Sequence, residues 1–399
     1  FGMPIGFFEG VQEAMARIIA NTYQLEAARR LTTQGIDLKV KPSVVTAIAK
    51  YHMTELGRDV LEDAMDIQSG KGIQLGPKNY LGHAYMATPI SITVEGANIL
   101  TRSLMIFGQG ATRCHPYVLA EMEAAAMEDE TSALDRFDSL LLGHIGYAMG
   151  NALRSFGSAL TGSRFASAPV SGPTQQYYRD MTRISSSLAI MTDLSMLIMG
   201  GDLKRKEMLS ARMGDVLSQL YLASATLKLF EDNGRQQDDL PAVHYVMTER
   251  LHLADKALND AIRNFPSKIA AVLLRVLIFP LGNHFNAPSD KYAVDLVKGM
   301  LKPGPARDRI TFLCGEFEGD TSGIAEVENA FLAKYAAKDL YKKLKKAQRS
   351  GHIKSKLPML ELFDVALEKD IITEAEHKQL VEADVLRLAA INVNDFEKL

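Results

Sequence analysis

The stretch VVTAIAKYHMTELGRDVLEDAMDI, residues 44–67, decides the fold. Ile48, His52, Leu56, Val60, Ala64 and Ile67 recur every three or four positions, which sets them on one face of an α-helix. Pro42 stands before this helix, and Gln68-Ser69-Gly70-Lys71-Gly72 follows it as a turn. The same spacing runs upstream through Val11, Met15, Ile18, Ile19, Leu25 and Leu31, with Gly35 as the expected stop. Residues 98–107 make a third run, and residues 68–89 read as irregular and glycine-rich. Long helices with short links predict a helical bundle.

After Gly108-Gln109-Gly110 the character changes. Residues 117–156 hold two helical runs broken near Glu128–Thr131, and 157–174 reads as a loop. Helical runs follow at 175–201, 202–231, 243–264 and 266–279. The segment 280–305 is loop-rich, with a short helix near 292–300. Further helices are expected at 325–347, 359–369 and 373–388. No strand pair stands out. The fold class is therefore all-α: a helical bundle over residues 1–110, then a second, mostly helical domain over 111–399.

With 399 residues, 47% of them hydrophobic, the chain can bury a large core in two or three domains. A net charge of −3 with mixed signs lacks the basic footprint of a nucleic-acid binder. The cluster Lys342-Lys343-Leu344-Lys345-Lys346 with Arg349 reads as a solvated helix face, with an acidic ligand or lipid as the alternative. Two cysteines, Cys114 and Cys314, make no disulfide framework and fit a reducing compartment. Cys114-His115-Pro116 reads as a loop. His52, His144, His244 and His252 read as packed or surface side chains, and the spacings Glu249/His252 and Glu374/His377 as chance surface pairs. No metal site is expected. Gly70 reads as a left-handed helix stop, since the spacing around Lys71 is not that of a phosphate loop. Met191, Met196 and Met199 read as helix core.

No run of about 18 uninterrupted apolar residues predicts a spanning helix. The stretches 269–281 and 188–199, interrupted by Arg275 and Asp193, read first as buried helices, with membrane-surface contact as the alternative for the former. The chain opens Phe1-Gly2-Met3-Pro4, which is neither a signal peptide nor an initiating Met, and reads as a piece of something longer.

One carboxylate is placed unusually. In Pro89-Ile90-Ser91-Ile92-Thr93-Val94-Glu95-Gly96-Ala97-Asn98-Ile99-Leu100, Glu95 follows a β-branched run and precedes a glycine. An extended-to-helical junction of this kind leaves room for a ligand beside a base. The alternative is a first-turn carboxylate favoured by the helix dipole.

Three blocks extend the reading. Residues 1–12, FGMPIGFFEGVQ, resemble the FGxPIxxFQxxQ that opens the C-terminal helical domain of acyl-CoA dehydrogenases. Residues 66–73, DIQSGKGI, resemble its QxxGGxGY. Residues 94–100, VEGANIL, resemble its YEGTxxIQ. Order and spacing match over residues 1 to about 110, which the resemblance makes a four-helix bundle. The remainder is similar to the C-terminal extension of the large bacterial fatty-acid β-oxidation dehydrogenases. Asp66 stands for the family's Gln, Ser69 for its first Gly, Val94 for its Tyr, Ala97 for its Thr, and Glu9 for the Gln after Phe8.

The resemblance implies an FAD enzyme that oxidises medium- and long-chain fatty acyl-CoA to trans-2-enoyl-CoA. It makes Glu95 the base that takes the α-proton. It implies FAD contacts by Phe1, Asp66, Ile67, Gly70, Gly96, Ala97 and Asn98, some across a subunit boundary, and substrate contacts by Val94, Glu95 and Gly96. The substrate carbonyl is held in part by the Glu95 backbone N–H. It further implies a homodimer, an electron-transfer flavoprotein-type acceptor, and a cytoplasmic bacterial protein with peripheral contact to the inner membrane. The family's other two domains lie outside this sequence, so the isolated chain is expected to be inactive. The rivals are an acyl-CoA oxidase, which shares the base, and a helical interaction or membrane-docking module.

Overall fold

A computed structural model describes residues 4–314, 323–354 and 356–395. Among these residues there are helices and no strand, as the all-α reading requires. In chain order they are α1 (Glu9–Asp37), α2 (Ser43–Gln68), α3 (Gly70–Ile73), α4 (Gly82–Thr93), α5 (Asn98–Leu100) leading into a π-turn (Thr101–Met105), α6 (Gly110–Cys114), α7 (Val118–Ala125), α8 (Glu130–Thr161) and α9 (Gln175–Met199). Then come α10 (Glu207–Asp232), α11 (Leu240–Arg263), α12 (Lys268–Ile278), α13 (Asp290–Met300), α14 (Pro305–Thr311), α15 (Gly323–Ala336), α16 (Lys338–Arg349), α17 (Met359–Glu368) and α18 (Glu374–Ile391).

The chain forms two compact units. One combines Phe1–Met15, Leu61–Thr88 and Val297–Leu399, and the other Ala16–Val60 and Pro89–Leu296. In the first, Leu344, Phe363, Ala366, Leu380 and Ala383 form a dry core of helices α16 to α18. Helix α18 starts at a capping box, in which Thr373 and Glu376 satisfy each other's backbone N–H. The basic residues of α16 surround its buried Leu344 and Ala347, so the cluster there is a solvated face, as read.

In the second unit, α9, α10, α11 and α12 share a core of Ile184, Met191, Met213, Val216, Leu258 and Leu274. Burying side chains of this size contributes about 1.5–3 kcal/mol each, before the entropy of ordering is subtracted. Met191 is fully buried, while Met196 and Met199 pack against the core's edge.

Several local expectations need correction. Helix α1 runs through Gly35, and the left-handed residue that ends it is Lys39 at φ 61°. Gly70 does not stop α2; Ser69 takes the positive φ of 55°, and Gly70 opens α3. The β-branched run before Glu95 is not extended. It is the end of α4, which carries Pro89 internally. β-Branched residues cost only a few tenths of a kcal/mol each in a helix, so this segment's context overrides its local preference.

Two further differences concern exposure. Helix α12 is not a buried helix. Ala270, Leu274 and Ile278 are buried, but Ile269, Val272, Leu273 and Val276 face outward. Conversely, the helical stretch Gln175–Arg205 is long and apolar enough, by length and composition alone, to cross a membrane. Its Ile184, Leu188 and Met191 lie in the core just described, which accounts for that apolarity.

His52 sits in α2 with Nε2 buried and unpartnered. Burial, then the nearby charges of Arg250 and Arg102, push its pKa down to about 3. The unfolded chain binds this proton below about pH 6.5, and the folded chain does not until near pH 3. Stability is therefore present above pH 6.5 and lost as pH falls toward 3. Between pH 7 and pH 5 this group alone costs about 2 kcal/mol. Urea midpoints of the protein and of His52→Gln at both pH values should show the variant markedly less acid-sensitive; equal pH dependence would refute this.

Candidate active site

The turn between α4 and α5 holds the suspected base. Glu95 has φ 54° and Gly96 φ 91°, so two consecutive residues are left-handed. For a non-glycine residue this costs on the order of 1–2 kcal/mol, and such strain persists only where the surroundings enforce it. A Cβ on Gly96 would lie 3.2 Å from Thr101 Oγ1, so both φ and space call for glycine there.

The enforcement comes from α2. Lys50 Nζ donates to Gly96 O at 2.7 Å and to Asn98 Oδ1 at 2.6 Å. Asn98 Nδ2 donates to Thr54 Oγ1 at 2.8 Å and Glu55 Oε1 at 2.7 Å. Thr101 Oγ1 donates to Gly96 O at 3.1 Å. Asn98 is only 3% exposed, so its side chain is spent on holding the turn. Just beyond, Arg102 makes a bidentate pair with Asp215 of α10, at 2.8 and 2.5 Å. Burial pushes the Asp215 carboxyl up and the guanidinium pulls against it; Asp215 in turn raises Arg102.

Val94 and Glu95 are exposed on this clamped turn, together with Ala97. Ile90, Ile99 (86% exposed) and Leu100 lie along the same segment as exposed apolar side chains. Among the described residues, the backbone N–H groups of Glu95 and Gly96 find no acceptor. The turn thus offers a carboxylate, two unused donors and an apolar surround. A cleft of about 320 Å³ lined by Arg30, Gln34, Lys228 and Asp232 lies elsewhere in this unit and touches none of these residues.

The other site residues expected from sequence lie on other elements. Phe1 lies outside the described residues. Asp66, exposed, and Ile67 occupy the last turn of α2, and Gly70 is exposed at the start of α3. These three belong to the first compact unit and Glu95 to the second. The clamp residues Lys50, Thr54 and Glu55 carry no sequence signal; they are ordinary polar positions of a helix until the turn is placed against them.

His115, His144 and Asp193 bring ligand atoms within 4.8 Å of one another, as a metal site would. The proton placement argues otherwise. His115 Nδ1 accepts the N–H groups of Tyr117 and Val118, at 3.2 and 3.1 Å, which puts the ring proton on Nε2, 2.7 Å from Asp193 Oδ1. His144 Nδ1 pairs with Glu121 at 2.9 Å. The group is a hydrogen-bonded hub joining α7, α8 and α9. It agrees with reading His144 as packed. His115, expected in a loop, is the bend between α6 and α7.

Comparison with known proteins places the chain. Residues 112–396 match the family described as acyl-CoA dehydrogenase, C-terminal, bacterial type, and residues 1–106 match the acyl-CoA dehydrogenase C-terminal domain. The chain belongs to the bacterial-type acyl-CoA dehydrogenase family. Among solved structures it is similar to an acyl-CoA dehydrogenase complexed with FAD from Bacillus anthracis, with a TM-score of 0.53 and 13% identity. That match covers 75% of this chain and 50% of the other, so the chain spans about half the length of that protein.

If the clamp enforces the turn, Asn98→Ala should cost about 2–3 kcal/mol in urea unfolding, since it strips three hydrogen bonds, one of them to a charged Lys50. Gly96→Ala should cost at least about 1 kcal/mol through the left-handed φ. Amide exchange at residues 95–98 should quicken in Asn98→Ala; unchanged exchange there would show that the clamp is dispensable.

Proposed function

We propose that this chain is the base-bearing C-terminal part of a FAD-dependent acyl-CoA dehydrogenase that converts medium- and long-chain fatty acyl-CoA to trans-2-enoyl-CoA, the first step of fatty-acid β-oxidation. The observation that carries the proposal is Glu95 itself: an exposed carboxylate held in a strained left-handed turn, with its own N–H free. Strain of this kind, enforced by five hydrogen bonds from one neighbouring network, is what a positioned catalytic group requires.

An α-proton of a thioester is only weakly acidic. Its removal needs a carboxylate within reach and a donor on the carbonyl oxygen, where negative charge develops. Glu95 takes the proton, and its backbone N–H donates to that oxygen. FAD, when bound, supplies the acceptor for the β-hydride. The residues fit such a group: Gly96 presents no Cβ, and the exposed Val94, Ile99 and Leu100 give an apolar surface for ring or acyl chain to cover. Gly96, Ala97 and Val94 are assigned to these contacts, with Asp66, Ile67, Gly70 and Phe1 on the flavin of a second copy. Asn98 is assigned to the flavin side of the turn, through its backbone. Turnover is assigned to the parent protein, with a flavoprotein-type electron acceptor.

A second reading concerns α12. Its outward Ile269, Val272, Leu273 and Val276, with Lys268 and Arg275 on the same helix, support peripheral contact with an anionic membrane on the cytoplasmic side.

In the FAD-loaded parent protein, Glu95→Gln should keep FAD and thermal stability but slow substrate-driven bleaching of the flavin by about a thousandfold. Near-normal bleaching in stopped flow would overturn the assignment. Peroxide release during turnover would instead identify an oxidase.

A further inference from the structure

Glu95 is aimed by its backbone alone. Among the described residues its carboxylate has no hydrogen-bond or ion-pair partner. The helix that leads into it, α4, is mostly exposed, Tyr85, Met86 and Ile90 included. The direction of the carboxylate is therefore set from the other side, by residues 96–106.

That side has two anchors. The first is the clamp of Lys50 and Asn98. An ammonium on a flexible stem is a point charge, which fixes distance better than direction. The second is the π-turn. Thr101, only 2% exposed, gives its Oγ1 to Gly96 O at 3.1 Å. The next residue, Arg102, donates Nε and Nη2 to the two oxygens of Asp215, at 2.8 and 2.5 Å. A planar two-point pair fixes direction as well as distance. The turn that carries both residues is closed by Ile106 N to Thr101 O at 3.1 Å and Gln109 N to Leu104 O at 2.9 Å. Bonds of this span widen a helix locally, and such turns gather at functional sites.

Helix α10 meets the π-turn at contact distance, and glycines permit it. A Cβ on Gly108 would lie 3.0 Å from Leu104 O and 3.1 Å from Ser210 Oγ. One on Gly214 would lie 3.4 Å from Arg102 O and from Ile106 Cγ2. Ile106 is buried in one cluster with Ile48 of α2 and Leu217 of α10. The contact also crosses a family boundary. Arg102 lies in the residues 1–106 that match the acyl-CoA dehydrogenase C-terminal domain, and Asp215 in the residues 112–396 that match the bacterial-type extension.

We propose that α10 of the extension buttresses the turn that carries the base, and that Asp215, acting through Arg102, is a positioning residue for proton removal by Glu95. This rests on the reading of Glu95 as the base. It gives the extension a part in the reaction: it touches neither substrate nor flavin here, but it holds the backbone from which the carboxylate projects.

The test uses the FAD-loaded parent protein, with flavin bleaching by substrate followed in stopped flow. Asp215→Asn should slow bleaching by about tenfold to a hundredfold, the loss expected when a reacting group is displaced by about an ångström. The substrate concentration that gives half-maximal bleaching should stay within about threefold, because the pair does not govern binding. In a Glu95→Gln background, Asp215→Asn should not slow the residual rate further, since no base remains to be positioned. Leu258→Ala, a cavity in the core of the same unit, should lower Tm at least as much yet leave bleaching within about threefold. Arg102→Lys keeps the charge and loses the fork, and it carries the test if Asp215→Asn does not fold; it should slow bleaching by about tenfold. Bleaching within about threefold of the parent in the pair variants would overturn the proposal. So would a slowing by Asp215→Asn that persists in the Glu95→Gln background, or an equal slowing by Leu258→Ala. Near-normal bleaching of Glu95→Gln alone would remove the base, and with it the positioning role. Amide exchange at residues 95–98 in this chain without flavin reads the buttress separately: it should quicken in Asp215→Asn, and unchanged exchange would show that α10 does not hold the turn.

Discussion

A single ammonium group, that of Lys50, organises the turn that carries Glu95. It reaches from the middle of α2 to the carbonyl of Gly96 and to Asn98. A turn with two left-handed residues is a costly conformation for a chain to adopt on its own. Here the cost is offset because a buried Asn98 is saturated between Lys50, Thr54 and Glu55, and because Arg102 ties the following π-turn to Asp215. Glu95 thus stays exposed on a turn tied to a neighbouring helix, held by a buried Asn98 and by the half-buried Lys50, Thr54 and Glu55.

The same economy explains why the unit around it is uneven. Helices α9 to α12 share an apolar core, whereas α7, α8 and α9 meet through histidines, serines and an aspartate. Polar contacts of this kind fix register and orientation but contribute little net stability each. The leucines of α8 are consequently free to face outward, and with the outer side of α12 they make this unit rich in uncovered apolar surface. Such surface on a helical protein marks contact with other molecules or domains.

Periodicity found the long helices to within a few residues, because one-sided burial leaves its mark at every third or fourth position. It failed where local chemistry was ambiguous. Ile90, Ile92 and Thr93 look like strand residues, yet they close a helix that contains Pro89. Gly35 and Gly70 look like helix stops, yet Lys39 and Ser69 take the left-handed conformation instead. Stops of this kind depend on which carbonyls the following N–H groups reach, and neighbouring residues alone do not show it. The outward face of α12 is only the alternative reading of that stretch, because a strongly apolar helix reads first as buried whether or not anything covers it.

The sequence by itself determined the all-α class and the family, and singled out Glu95 as a candidate, since those rest on residue types and on spacing along the chain. Only the tertiary structure decided how that carboxylate is held. The strained φ of Glu95, its unused N–H, and the clamp through Lys50, Thr54 and Glu55 join residues more than 40 positions apart. Contacts of that range depend on packing, and packing leaves no periodic trace in the chain.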